Sequence, residues 1–345
     1  MGKLKRFSTC AALAAVCSVV ATGCGSEDKA APANGAAAAG QGDETIRVAF
    51  LSSIANTFTQ AVHEGFTAAA KGTGVEVKMF DTGTDPQKQY NTFTDIISQK
   101  QFDGIAVLPI DAASLVPAVQ NAIAADIKVV SFNNPLGPKF DTLEPQVEGQ
   151  TNVVMDASQF QRGVWMGEMA VDACAGIDPC EVSWLSGLAG IAGEQALVDG
   201  YKKGISSAPS VKLATVRAAG GYTPEVGRTA AQNMLQANKE LDVIAGSDQL
   251  IHGAQLAAEN QKVTGKVKLI GLGGSEIALN GIKAGTWYGG VVTLPYDVGV
   301  ASFEALVEGV KTGKAGTGVN VTDKKGINPK ITKENVDSFK PQWKG

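Results

Sequence analysis

IRVAFLSSIANTFTQAVHEGFTAAA, residues 46–70, reads as a buried strand, a polar loop and an amphipathic helix. The run Val48-Ala49-Phe50-Leu51 has no polar face, so it belongs in a parallel sheet covered on both sides rather than in a half-exposed hairpin. Phe58, Val62, Phe66 and Ala69 then recur at helical spacing behind Asn56 or Thr57, either of which can cap the helix. In such sheets the carboxyl ends of the strands meet the ligand, and Ser52 to Phe58 occupies that place. His63 falls off the apolar stripe and is expected to face solvent.

The same unit recurs along the chain. Residues 75–80 form a second strand, and Asp85-Pro86 opens a helix as cap and first residue, with Tyr90, Phe93 and Ile97 on its buried side. A third strand over 104–108 leads into a helix carrying Leu115, Val119 and Ile123, and a fourth over 128–132 stops at Asn133-Asn134-Pro135. The periodicity lapses through Gly137, Pro138, Pro145 and Gly149. It resumes as a helix with Phe160, Val164 and Met169 on one side, which marks a boundary between lobes. Val182-Ser183-Trp184-Leu185-Ser186 then echoes Val48-Ala49-Phe50-Leu51-Ser52, and βα units follow both, so the two half-chains look built alike. Further strands are expected over 211–218, 241–245, 267–271 and 287–293, with a long helix from 297 to about 310. Pro295 and the irregular VNVTDKKGINP near the end imply that the chain crosses back between lobes twice more.

A chain of 345 residues with 44% hydrophobic content and 41 glycines suits an α/β protein of two lobes. The formal net charge of −4 provides no broad basic field, so nucleic acid is not an expected partner. Lys3, Lys5 and Arg6 precede an apolar run from Ala11 to Ala21, too short for the ~20 residues that span a bilayer, so this start is a signal peptide. Its end, Ala21-Thr22-Gly23-Cys24, resembles the lipobox of bacterial lipoproteins, with Ala21 in place of the usual Leu. That resemblance implies a lipid on Cys24 as first mature residue; ordinary cleavage with Cys24 lost or left free is the alternative. Residues 25–44, rich in Ala, Gly and charge, lack the apolar groups for a core and would act as a flexible tether of about 25 Å mean reach.

Cys10 and Cys17 leave with the signal, so Cys174 and Cys180 remain as thiols in an oxidising compartment. Gly176 and Pro179 between them favour a turn, and a disulfide is expected. A metal site is the rival, but CAGIDPC has no second ligand pair nearby, and no metal or other cofactor is expected.

GLAGIAG, residues 187–193, has the spacing GxxGxxG rather than the GxGxxG of dinucleotide sites, and reads as a tight strand-to-helix turn that admits a ligand closely. No HExxH, GxSxG or supported Cys/His pair is present, so no catalytic residue is assigned and the chain is not expected to be an enzyme. Asp111 and Glu276 are expected at helix starts. The cleft instead offers Ser52, Ser53, Asn56, Asn133, Asn134, Gln195, Ser247 and Thr293, with Asp248 as one carboxylate. Such groups suit hydroxyls, because an amide both donates and accepts, while Phe58, Phe132 or Tyr222 could cover a C–H face.

VAFLSSIANTFTQAVHEGF, FDGIAVLPIDAASLVPAV, VVSFNNP, GLAGIAGEQALVDGYKKGI, VIAGSDQLIHGAQLA, LIGLGGSEIALNGIKAG and TLPYDVG resemble the ribose-type (type I) periplasmic sugar-binding proteins of ATP-binding-cassette (ABC) importers. The resemblance implies two similar doubly wound parallel-sheet lobes joined by a three-strand hinge, with the ligand between them. It places Asn56 and Phe58 on the ligand, Asn133 and Asn134 where the family has an Asp-Arg pair, and Gln195 near a family Arg, with Glu194 as substitute one residue away. Tyr222 falls at a stacking aromatic, Ser247 and Asp248 at an Asn-Asp pair, Gly273 where an Asp is usual and Thr293 where a Gln is. The charged clamp for an aldose is therefore missing, and a neutral sugar, sugar alcohol or cyclic polyol fits best. Repressors of the same fold carry an N-terminal helix-turn-helix where this chain has a signal and tether.

The expected organisation is a signal peptide over 1–23, a lipidated tether over 24–44, a first lobe from 45–153 and 294–321, and a second from 154–293 and 322–345. The expected function is capture of a small polyhydroxylated ligand by a monomer, anchored by lipid to the outer face of the bacterial cell membrane, for delivery to a membrane ABC permease. A ligand-presenting sensor for a membrane receptor and a secreted sugar-modifying enzyme are the alternatives.

Overall fold

A computed structural model describes residues 45–53 and 56–345. The expected signal peptide, Cys24 and tether lie outside the described residues.

The opening unit is strand β1 (Arg47–Ser52) followed by helix α1 (Thr57–Ala70). Asn56 is the cap, its side chain accepting from the Phe58 N–H, and five of the six β1 residues are buried. β2 (Glu76–Asp81) precedes α2 (Pro86–Gln99), where Asp85 caps and Pro86 fills the first turn. β3 (Gly104–Val107), α3 (Val116–Ala124), β4 (Lys128–Phe132) and β5 (Asn152–Met155) complete the first run. Then come α4 (Gln159–Ala173), β6 (Cys180–Ser186), α5 (Ala192–Ile205), β7 (Val211–Ala218), α6 (Pro224–Ala237), β8 (Leu241–Ser247) and α7 (Asp248–Asn260). β9 (Lys268–Gly273), α8 (Glu276–Ala284), β10 (Gly289–Val292), α9 (Pro295–Thr312), β11 (Val319–Asn320), α10 (Val321–Lys325) and β12 (Lys330–Thr332) follow.

The described residues form two six-stranded sheets, ordered β11-β5-β4-β3-β1-β2 and β12-β10-β9-β8-β6-β7. Each strand of one has its counterpart in the other, with β6 in the place of β1, so the echo between Val48–Ser52 and Val182–Ser186 reflects a true architectural repeat. All pairs are parallel except β10 with β12. Within the described residues the chain changes sheet three times: between β5 and α4, between β10 and α9, and between β11 and β12. α9 packs on α1 and the first sheet, α4 on α5 and the second.

Several local expectations are corrected. β5 is a buried strand where the sequence shows only lapsed periodicity, because four residues are too few to display a period. The chain leaves the first sheet after Met155, so a division at 153/154 cuts β5, and one at 321/322 cuts α10. α4 does not bury Phe160 and Val164 fully; its inner face is Arg162, Gly163, Met166, Gly167, Met169 and Ala170. Backbone approach sets that face, since a Cβ on Gly163 would stand 2.2 Å from the Leu197 carbonyl oxygen, and one on Gly200 2.0 Å from that of Phe160. His63 is half-buried rather than solvated, its ring centroid 5.3 Å from that of Phe50, and burial lowers its pKa. Phe132 is fully buried and stacks on Phe50 at 5.0 Å, which makes it core. Cys174 and Cys180, at the α4–β6 turn, are joined by a disulfide with Cα atoms 5.8 Å apart.

Candidate functional site

Residues that follow the strands of both sheets line one cavity of about 210 Å³. Pockets for drug-sized ligands run roughly 300–1,000 Å³, so the occupant of this one is small. The first lobe contributes Ser53, Asn56 and Phe58 after β1, the Leu108–Ile110 turn after β3, and Asn133 and Asn134 after β4. Asn56 Oδ1 is engaged by the Phe58 N–H at 2.8 Å, which leaves its amide NH2 for other partners. Ser52 lies behind the wall at 1% exposure, and Ser53 takes its place, because consecutive strand residues face opposite ways.

Asn133 has φ of 59°, a left-handed conformation that Asn tolerates better than most residues, and this turns the chain out of β4. Its side chain also works. Asn133 Oδ1 accepts from an Arg162 guanidinium N–H at 2.9 Å, and Asn134 Oδ1 accepts from Gln159 Nε2 at 2.8 Å while its own amide donates to the Pro109 carbonyl at 2.9 Å. Arg162 and Gln159 belong to α4, so the two asparagines are tied to the helix that opens the second lobe. Arg162 is 3% exposed and pairs with Asp156 Oδ2 at 3.3 Å; Asp156 Oδ1 accepts the Leu294 N–H at 2.9 Å. One buried network thereby joins the first two crossings between lobes. Burial raises the Asp156 carboxyl above its ordinary range and lowers that of the guanidinium, while their mutual attraction opposes both shifts.

On the second-lobe wall the expected Gln195 is replaced by Glu194. Gln195 is exposed and donates to Asp199 at 2.9 Å, whereas Glu194, one helical step of 100° around α5, lines the cavity. The Tyr222 hydroxyl donates to Glu194 Oε1, and the Gly187 N–H donates to Glu194 Oε2 at 3.2 Å. Burial raises the pKa of Glu194 against these hydrogen bonds, and burial with the adjacent carboxylate raises that of Tyr222 well above the usual value. The room left by Gly187 is taken by the protein itself: a Cβ there would stand 2.1 Å from the Tyr222 ring. Ser247 and Gln249 line the wall after β8, and Ser247 Oγ has no hydrogen-bond partner among the described residues.

Asp248 stands one layer behind, 1% exposed, with Oδ2 accepting from the Ser275 N–H at 2.8 Å. It is not part of the cavity wall, because Gly271 and Gly273 leave space that draws its carboxyl under β9. Thr293 lines the cavity, but its hydroxyl donates to the Gly273 carbonyl at 2.9 Å. Trp343, from the carboxyl-terminal segment, completes the wall; its indole N–H donates to the same carbonyl at 3.0 Å, and its ring meets Phe58 edge-on at 5.6 Å. Asp111 is not at the helix start expected for it: it accepts from the Ala113 and Ser114 N–H groups in the turn ahead of α3, which begins at Val116 with Leu115 at its cap.

Sequence reading missed Arg162, Gln159 and Trp343. The signals were there in weak form: an Arg three residues after Gln159 on one helix face, and a lone Trp in a charged tail. Among the described residues no group of three or more His, Cys, Asp or Glu is placed to hold a metal, and no helix is long and apolar enough to cross a membrane.

Duplicated parallel-sheet lobes with a small cavity at their strand ends define a two-lobed binding protein. The chain belongs to the periplasmic binding protein domain family, which it matches over residues 48–315. It is 27% identical over 267 residues to the D-allose-binding periplasmic protein of Escherichia coli (strain K12), covering 76% of this chain and 84% of that one. It is 26% identical over 320 residues to the xylitol-binding protein of Mycolicibacterium smegmatis, covering 92% and 82%. The fold superposes with a TM-score of 0.74 on an ABC transporter solute-binding protein from Bacillus halodurans C-125 with bound myo-inositol, at 20% identity over 87% of this chain and 98% of that one.

Proposed function

We propose that this chain is an extracytoplasmic receptor that captures a small neutral polyhydroxylated ligand, a sugar, sugar alcohol or cyclic polyol, and delivers it to a membrane ABC permease. The observation that carries the reading is a cavity walled by both lobes in which amides, hydroxyls and a carboxylate alternate with Phe58, Tyr222 and Trp343. Aromatic faces cover C–H surfaces while the polar groups meet hydroxyls. The names of two relatives, D-allose-binding and xylitol-binding, support the ligand class. Binding rather than chemistry is the role, with contacts to Asn56, Phe58, Asn133, Asn134, Glu194, Tyr222 and Ser247. The lobes divide near the three crossings, the receptor works as a monomer, and a lipid on Cys24 anchors it outside the cell membrane.

A ligand that touches both lobes favours the closed state by its differential contacts, and closure is what a permease can recognise. The test is a thermal-shift screen of sugars and polyols. A true ligand at 100 times its dissociation constant adds about 2.7 kcal/mol of stability, and a panel of pentoses, hexoses, alditols and inositols without a single shift refutes the reading.

A further inference from the structure

Among the described residues lining the cavity, the charged side chains are Arg162 and Glu194, carried by the packed helices α4 and α5. Their charges are not equivalent. The Arg162 guanidinium is matched by Asp156, itself 1% exposed, and a further N–H is held by Asn133. That pair is neutral as a unit. Glu194 has hydrogen bonds from Tyr222, Gly187 and the Ser186 side chain, but no Lys, Arg or His nitrogen among the described residues stands within 4 Å of it. The next acid, Asp248, is also without a cation and sits directly behind Gly273 of the wall. The cavity therefore holds an excess of acid.

We infer that Glu194 is the residue that sets ligand class, admitting ligands that present hydroxyl donors to α5 and rejecting those that carry a carboxylate or phosphate. The inference rests on the polyol reading and narrows it. Three of the roughly four lone-pair sites of the Glu194 carboxylate are met, by Tyr222, Gly187 and the Ser186 side chain, which leaves about one acceptor for a ligand. The Tyr222 oxygen has spent its proton on Glu194, so it too can only accept. This part of the wall thus offers acceptors alone. A polyol satisfies it by donating, whereas an anion would place like charges together in a site of low dielectric where the lining cation, Arg162, is already matched by Asp156.

The experiment is titration calorimetry at pH 7 with xylitol, D-allose and myo-inositol against xylonate, D-allonate and inositol monophosphate. The parent should bind at least one neutral probe, with its acidic counterpart at least tenfold weaker. Glu194→Gln keeps the size and the acceptor for Tyr222 but removes the charge, and should narrow that ratio at least tenfold, mainly by admitting the acid. Tyr222→Phe keeps the charge, so affinities for both classes should move together and the ratio should hold. Circular dichroism melts establish that both variants are folded. A parent that binds an acid as tightly as its neutral counterpart overturns the inference, as does a Glu194→Gln ratio equal to the parent's or a Tyr222→Phe ratio that collapses in the same way. A parent that binds neither class overturns the polyol reading itself, and this inference with it.

Discussion

Replacing Asp248 by Asn should change the pH dependence of stability. Asp248 is 1% exposed at the first position of α7; Oδ2 accepts the Ser275 N–H, and Oδ1 has no partner among the described residues. Burial pushes its pKa from 3.8 up to about 6, against the hydrogen bonds from Ser275 that lower it. The dipole of α7 favours the carboxylate by roughly 0.3–1 kcal/mol, too little to offset the desolvation. Because the folded value lies above the unfolded one, the folded state keeps the proton longer. The group's contribution is fully present below about pH 4, is lost as pH rises to about 6, and is constant thereafter. The two values lie about 2 pH units apart at ~1.4 kcal/mol each, so the ionised group costs roughly 3 kcal/mol at neutral pH. Asp248→Asn leaves an oxygen for the Ser275 N–H and removes the charge. Urea unfolding of parent and variant at pH 4 and pH 8 should show the variant gaining about 2.5 kcal/mol relative to the parent between the two conditions, since at pH 4 the unfolded carboxyl is already partly ionised. Comparing differences cancels every other titrating group. A variant-minus-parent difference that is the same at both pH values, within about 0.5 kcal/mol, refutes the argument that this carboxyl is held under desolvation.

Arg162→Met leaves Asp156 buried without its cation and should cost about 3–5 kcal/mol in urea unfolding, while Asp156→Asn combined with Arg162→Met should recover more than half. A single-variant cost below about 1 kcal/mol would mean that the pair contributes nothing to holding the crossings. Replacing Cys174 and Cys180 together by Ser opens a seven-residue loop and should lower stability by about 2 kcal/mol on chain-entropy grounds; an unchanged urea midpoint contradicts it. Cys24→Ala should move the protein from the membrane fraction to the soluble fraction of the cell envelope, and full retention in the membrane rules out the lipid anchor.

The sequence by itself determined what is local. The buried run of β1, the Asn56 cap, the Asp85-Pro86 start of α2 and the limits of β7 are written within a few residues of one another, because helix caps and periodicities act over spans of about four residues. The repeat of Val48–Ser52 in Val182–Ser186 likewise announced two similar lobes, and the family resemblance followed from many such local motifs. Tertiary structure alone decided which polar groups face the ligand cavity. Arg162 meets Asn133 across 29 residues, Trp343 meets Gly273 across 70, and Asp156 meets Leu294 across 138. None of these pairings leaves a mark on its neighbours in sequence. A single helical step exchanged Gln195 for Glu194, and two glycines in β9 drew Asp248 behind the wall. Such choices depend on how backbones approach one another in space, a quantity to which hydrophobic periodicity is blind.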